Sequence, residues 1–166
     1  VSVLNIYLDR MPEVLDRHLA TINKFQGDGI FAFFGAPIAQ PDHTRLACLA
    51  ALDTQAELIQ LVDQQRQSDP DFPPLKMRVG ISSGEVVVGD CGSHRRFDYT
   101  AIGDTVNLGA RLESANKYFG TKSMICQNCY QQSRDAIEAR YLGSVRVVGK
   151  KQGIGIYELI ARAGEL

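Results

Sequence analysis

The chain has 166 residues, enough for one domain with its own hydrophobic core. Apolar residues make up 45% and charged residues 22%, a mixture that excludes wholesale disorder. Eighteen Lys and Arg against nineteen Asp and Glu leave a formal net charge of -1, which disfavours a phosphate-coating nucleic-acid binder.

Taken in chain order, Leu4, Leu8, Met11, Leu15 and Leu19 step by 4, 3, 4 and 4, an amphipathic helix. Pro12 is expected to kink that helix or end its first part. Residues 21–25 and 30–34 are short apolar runs around Gln26-Gly27-Asp28-Gly29 and predict a β-hairpin with a tight turn. The longest mostly apolar stretch, 30–39, is interrupted by Gly35 and Pro37 and falls short of the roughly 20 residues that span a bilayer. A long helix starts at Pro41-Asp42-His43 and runs to about Arg66, with Leu49, Leu52, Ala56 and Ile59 on its buried face. Residues 68–74, with three prolines, form a loop. Strands follow at 76–81, 85–89 and 97–102, and Gly103-Asp104 opens a helix to about Tyr118. A strand at 121–126, a helix at 127–137 and two strands around 149–155 complete the chain. Hairpins interleaved with long helices predict an α+β sandwich with a mainly antiparallel sheet.

Four cysteines stand at 48, 91, 126 and 129, and only Cys126 and Cys129 form a C-x-x-C. A zinc site would need a second pair or nearby histidines, and His18, His43 and His94 are scattered, so the cysteines read as reduced and structural. No secretory pattern opens the chain, and Val1 in first place suggests a piece of something longer. The expected location is cytoplasmic, with no membrane contact by this domain itself, whatever anchors the parent protein.

Three places carry chemistry. Asp28 stands in a Gly-flanked turn, where its carboxylate meets a hard divalent cation unobstructed; Gly-Asp-Gly is also ordinary turn chemistry. Asn107 and Arg111 lie four apart on one helix flank, beside the apolar stripe Leu108, Leu112, Ala115 and Phe119. An amide and a guanidinium one turn apart make a clamp for phosphate and sugar hydroxyl, or a solvated polar flank. Gly109 permits close approach of another backbone. Lys150, in Gly149-Lys150-Lys151, offers a point charge to a phosphate or to solvent.

The order and spacing of these signals carry more than each alone. The runs KFQGDGIFAFFGAP from Lys24, RVGISSGEVVVG from Arg78, DYTAIGDTVNLGARLE from Asp98, and then Val147-Val148-Gly149-Lys150 strongly resemble the catalytic domain of class III adenylate/guanylate cyclases. The resemblance covers nearly the whole chain. It implies a ferredoxin-like, palm-type α+β domain working as a homodimer or heterodimer with another cyclase domain, each site drawing residues from both copies. It also implies two divalent cations, Mg²⁺ or Mn²⁺, and in-line attack of a ribose 3′-hydroxyl on the α-phosphorus. Residue by residue, Asp28 matches a metal-binding aspartate, Asn107 the ribose-positioning amide and Arg111 the transition-state arginine. Lys150 matches the lysine on the terminal phosphates, and Lys24 and Thr100 match the two base-reading positions.

The base follows from hydrogen-bond chemistry. Adenine offers an acceptor at N1 and a donor at its 6-amino group, which an ammonium and a hydroxyl complement. Guanine reverses the pattern and would leave donors unpaired, at a cost on the order of 1–3 kcal/mol. ATP is therefore the expected substrate. Threonine at the second position resembles the branch that includes bicarbonate-responsive cyclases, and regulatory domains are expected in the parent protein.

Two departures stand out. The family's first metal aspartate lies in an F-x-D-I-x-G-F-T-like strand ahead of the first helix; residues 1–7 align with that helix, so that strand and its aspartate are expected to be absent. Gln26 stands where the family has an apolar residue. The alternative reading is a catalytically inactive cyclase-like domain that dimerises or binds nucleotide. A diguanylate cyclase is disfavoured because its turn would read G-G-[DE]-E-F.

Overall fold

The computed structural model describes residues 3–90 and 99–166. Its elements run α1 (Val3–Arg17), β1 (Thr21–Gln26), β2 (Gly29–Phe33), α2 (His43–Ser68), β3 (Val79–Ile81), β4 (Val87–Asp90), β5 (Tyr99–Ile102), α3 (Asp104–Phe119), β6 (Ser123–Cys126), α4 (Gln127–Ser133), β7 (Ile137–Val145) and β8 (Ile154–Arg162). The α+β class expected from the sequence is the class observed. Phe97 and Asp98 of the predicted strand, with Cys91 and His94, lie outside the described residues.

The strands form a four-stranded sheet in the order β3-β6-β8-β7 and two antiparallel hairpins, β1-β2 and β4-β5. Within the larger sheet β3 runs parallel to β6, while β8 runs antiparallel to both β6 and β7. All four residues of β6 are buried. Successive strand residues face opposite ways, so the sheet is covered on both faces there. The main core gathers Cys48 and Ala51 of α2, Leu112 of α3, Met124, Ile125 and Cys126 of β6, and Ile156 and Leu159 of β8. A second cluster joins Met11 of α1 to Leu58 and Leu61 of α2. No described helix is long and apolar enough to cross a membrane.

Several local expectations shift, each for a physical reason. The first helix runs unbroken through Pro12. Met11 and Val14, each 1% exposed, seat it on the core, and that burial outweighs the hydrogen bond proline removes. Leu19 lies beyond the helix with φ 66° and is exposed. On α2 the buried residues are Thr44, Cys48, Ala50, Ala51, Thr54, Leu58 and Leu61. Leu49 and Leu52 are only half-buried, and Ala56 and Ile59 are exposed. Apart from Leu58 and Leu61, the core face is built from small and hydroxyl side chains that a search for large apolar residues passes over. Strand β3 shrinks to three residues because only Val79, Gly80 and Ile81 find partners, on Ser123, Met124 and Ile125. Helix α4 stops at Ser133 because Ile137 is buried at the start of β7.

Helix α3 stands very close to β3. A Cβ placed on Gly80 would lie 2.3 Å from both the Glu113 nitrogen and the Gly109 carbonyl oxygen, backbone atoms of α3. A Cβ on Gly109 would meet the Ser82 hydroxyl at 3.1 Å. Backbone cannot rotate away as a side chain can, so Gly80→Ala is expected to push helix from strand. The cost should reach or exceed the upper end of the ~1–3 kcal/mol typical of overpacking. It should appear as a lower urea midpoint with an unchanged slope, and a midpoint equal to the parent's would contradict this close seat.

At the far end of the sheet, Arg162 of β8 grips Asp53 of α2 through two hydrogen bonds of 2.6 and 2.9 Å. His18, just after α1, reaches the same carboxylate at 2.8 Å. The Arg162 guanidinium holds the Asp53 carboxyl below its usual range. Cys48, Cys126 and Cys129 are buried free thiols.

Candidate active site

The hairpin β1-β2 is built around the two-residue turn Gly27-Asp28, with Gly27 at φ 61°, a conformation glycine adopts without penalty. The turn holds Asp28 at the tip, exposed, with its carboxylate unobstructed by neighbouring side chains at Gly27 or Gly29. Burial and the Asp28 carboxylate push the Tyr7 hydroxyl of α1 up to about 12, so Tyr7 stays protonated at neutral pH. Lys24 is exposed on β1, opposite Phe31.

The register of this hairpin shifts between Ile22 and Lys24, which leaves Asn23 as an extra residue with no partner across the ladder. Its side chain crosses to β5 instead. The Asn23 amide nitrogen donates to the Tyr99 carbonyl, and the Thr100 hydroxyl donates to Asn23 Oδ1 at 3.1 Å. The rings of Phe33 and Tyr99 also meet, with centroids 6.0 Å apart. Thus Lys24 and Thr100, 76 positions apart in sequence, are linked through one intervening residue. Thr100 is buried, 7% exposed, and pairs with Gly89 across the β4-β5 hairpin.

Strand β5 leads directly into α3 through Gly103, at φ 146°. Asn107 and Arg111 follow on the exposed flank of that helix. Leu112, fully buried on the adjoining side, and Leu108 and Ala115 beside it fix which flank faces out, whereas Phe119 of the predicted stripe is 40% exposed. The Arg111 guanidinium donates to the Arg146 carbonyl, which ties α3 to the β7-β8 connection that carries Lys150. One acceptor uses part of a five-donor guanidinium and leaves donors for an anion. Lys150 is exposed, in a turn closed by its own N–H on the Val147 carbonyl at 3.1 Å.

Five of the six residues therefore fall into two groups, Lys24 with Thr100 through Asn23, and Asn107 and Arg111 of α3 with the Lys150 loop, joined by the β5-α3 junction. Asp28 stands apart at the hairpin tip. Lys150 also borders a hollow of about 300 Å³ with Gln127, Asn128 and Ile154; neither Lys24, Thr100, Asn107 nor Arg111 lines it. Among the described residues no three His, Cys, Asp or Glu side chains converge to hold a metal ion. Asp28 supplies one hard oxygen donor, and this donor set does not fit a pair of divalent cations.

Sequence reasoning missed Asn23. Its signal was an amide inside an otherwise strand-forming run, Thr-Ile-Asn-Lys-Phe, where asparagine is depleted.

The family model described as the catalytic domain of adenylate and guanylate cyclases matches residues 1–161. Adenylate cyclase 1 of Rhizobium meliloti (strain 1021) is 38% identical over 160 residues, covering 96% of this chain and 24% of that protein. The chain thus spans about a quarter of the length of this curated relative. Among solved structures, the adenylyl cyclase CyaB from P. aeruginosa matches with a TM-score of 0.85 and 32% identity, over 98% of this chain and 83% of that one. The guanylyl cyclase Cya2 matches with a TM-score of 0.83 and 33% identity, over 98% and 81%.

Proposed function

The chain belongs to the family of adenylate and guanylate cyclase catalytic domains, and from that premise we propose that residues 1–166 form one domain that converts ATP to 3′,5′-cyclic AMP and pyrophosphate. Overall similarity does not divide ATP from GTP, since an adenylyl and a guanylyl cyclase match almost equally well. The proposal for ATP rests on the base-reading pair. What supports it above all is a Thr100 whose hydroxyl hydrogen is already given to Asn23, the residue next to Lys24.

In this reading the Lys24 ammonium donates to adenine N1 and the Thr100 oxygen accepts from the 6-amino group. Asn107 holds the ribose so that its 3′-oxygen lies in line with the α-phosphorus. A bond forms from that oxygen to phosphorus as the bond to pyrophosphate breaks, and the hydroxyl proton leaves to solvent. Arg111 meets the charge that grows on the phosphoryl oxygens, and Lys150 holds the departing phosphates. The divalent cations that the family implies would neutralise phosphate charge, and Asp28 is the one carboxylate assigned to hold them.

We place each site at a seam between two copies. Val87 and Ile102, a cross-strand pair on the hairpin that carries Thr100, are 71% and 52% exposed, and Phe25 beside Lys24 is 51% exposed. Such an apolar patch is what a second cyclase domain would cover. The remainder of a longer parent protein would supply regulation.

Cyclic AMP release from ATP with Mn²⁺ or Mg²⁺ tests the activity. The seam has its own test. Asp28→Ala protein mixed with Arg111→Ala protein should recover about a quarter of parental activity, because half the dimers are mixed and each holds one intact site of two. Absence of recovery, with mixed dimers demonstrated, argues against shared sites. The single assigned carboxylate favours a second reading, a nucleotide-binding domain that completes a partner's site; ATP binding without turnover would select it.

A further inference from the structure

We infer that Asn23 is a specificity-determining positioning residue: it fixes the direction of the Thr100 hydroxyl and so sets the preference for a 6-amino purine over a 6-oxo purine. The inference rests on the assignment of Lys24 and Thr100 as base-reading residues and adds the group that gives that assignment its sign.

A threonine hydroxyl is one donor and two acceptor lone pairs. Left to rotate, it donates to guanine O6 as readily as it accepts from the adenine amino group. Threonine alone therefore does not choose. The neighbouring amide removes the ambiguity in two steps. The Tyr99 carbonyl only accepts, so the end of the Asn23 amide that meets it is the NH₂. The end that faces Thr100 is then the carbonyl, which also only accepts. The Thr100 hydrogen is committed to Asn23, and the lone pairs that remain are directed elsewhere. An incoming 6-amino group finds an acceptor there, whereas a 6-oxo group finds lone pair against lone pair.

The backbone explains why residue 23 has this task. In a regular strand residues 23 and 24 would face opposite sides. The bulge at Asn23 re-aims its side chain across to β5 while Lys24 keeps its partner Phe31 on β2. The irregularity in this ladder falls at the residue that holds the Thr100 hydroxyl, next in sequence to Lys24. The amide is half-buried and Thr100 is 7% exposed, so water competes weakly for the hydroxyl hydrogen.

The test compares kcat/KM for ATP and for GTP, with Mn²⁺, in the full-length protein and two variants. Asn23→Leu fills the same volume and removes the acceptor. Asn23→Asp keeps an acceptor facing Thr100. Asn23→Leu is expected to lower the ATP-to-GTP ratio about tenfold, the scale of one hydrogen bond, whereas Asn23→Asp should hold the ratio within about twofold even where it slows both substrates. In a Thr100→Val background Asn23→Leu should leave the ratio unchanged, because no hydroxyl remains to orient. A merely structural role for Asn23 would move both substrates together. An ATP-preferring parent whose ratio ignores Asn23→Leu, or responds equally to Leu and Asp, overturns this inference alone. A parent that prefers GTP overturns the base-reading assignment and this inference with it. Should Asn23→Leu fail to fold, the ratio in Asn23→Asp and in Thr100→Val decides: a ratio lost in Asp and kept in Val overturns the inference.

Discussion

Arg111→Ala is expected to lower kcat for ATP by about 10²-fold or more while KM stays within a small factor of the parent's. The guanidinium is exposed on the outer flank of α3 and is held at one edge by the Arg146 carbonyl. It is thus oriented before any ligand arrives. A group oriented in advance spends little on reorganisation when charge moves from the 3′-oxygen onto the phosphoryl oxygens, and its contribution falls mainly on the transition state. In the proposed site Lys150 is a second cation for the ground-state phosphates, which is why KM should change little. Single-turnover and steady-state rates with ATP measure both constants. A variant that raised KM and kept kcat would assign Arg111 to binding. Folding is a minor concern at this position, because Leu112 and Leu108, not Arg111, face the core.

The second large effect is an exchange of base. Lys24→Glu with Thr100→Cys places an acceptor against the N1–H of guanine and replaces the hydroxyl held by Asn23 with a thiol, a weaker donor that Asn23 Oδ1 holds less firmly and that can turn to O6. The ATP-to-GTP ratio of kcat/KM should fall by about 10²-fold, since two hydrogen bonds reverse sense and each discriminates by on the order of tenfold or more. Lys24 is exposed, and at the buried position 100 the substitution removes only the threonine methyl. An unchanged ratio in an active double variant would remove Lys24 and Thr100 from the base site. Competition between the two nucleotides in one reaction, with both cyclic products quantified, gives the ratio directly.

Much of this architecture was legible in the residues, and the exceptions are instructive. The first hairpin was visible because a Gly-Asp pair between two apolar runs admits few other geometries, and the observed β1 and β2 differ from expectation by a residue at their ends. The long helix α2 was visible, but its inner face was not. Thr44 and Thr54 are buried, the latter donating to the Ala51 carbonyl at 2.8 Å, while Ile59 points outward. Thr44 donates instead to Gln132 Oε1 of α4 at 2.6 Å, and buried hydroxyls with such partners do not register as apolar in a sequence. Residues 76–78 have strand-like composition, yet the Met77 carbonyl is taken by the Gln55 amide at 3.0 Å instead of by a neighbouring strand. Composition reports what a strand tolerates, and pairing decides where it exists.

The candidate site divides the same way. Asp28, Lys24, Thr100, Asn107, Arg111 and Lys150 were found by the company they keep in sequence, a pattern that carries identity and order but not contact. Which of them meet depends on long-range geometry: the bulge at Asn23 and the hold of Arg111 on the Arg146 carbonyl. Neither leaves a local periodicity. Asn23 left only a misfit, a polar amide in a run otherwise suited to a strand.

The contact of α3 with β3 at Gly80 has a mechanical consequence. A helix resting on side chains shifts by repacking them, but where α3 crosses Gly80 backbone meets backbone and nothing there can repack. The tilt of the helix that bears Asn107 and Arg111 is therefore adjusted most readily from its two ends. Both ends are glycines with positive φ, Gly103 at 146° and Gly120 at 70°. Variants meant to retune turnover by small rotations of that flank belong at these two pivots, and insertions along its length should jam it.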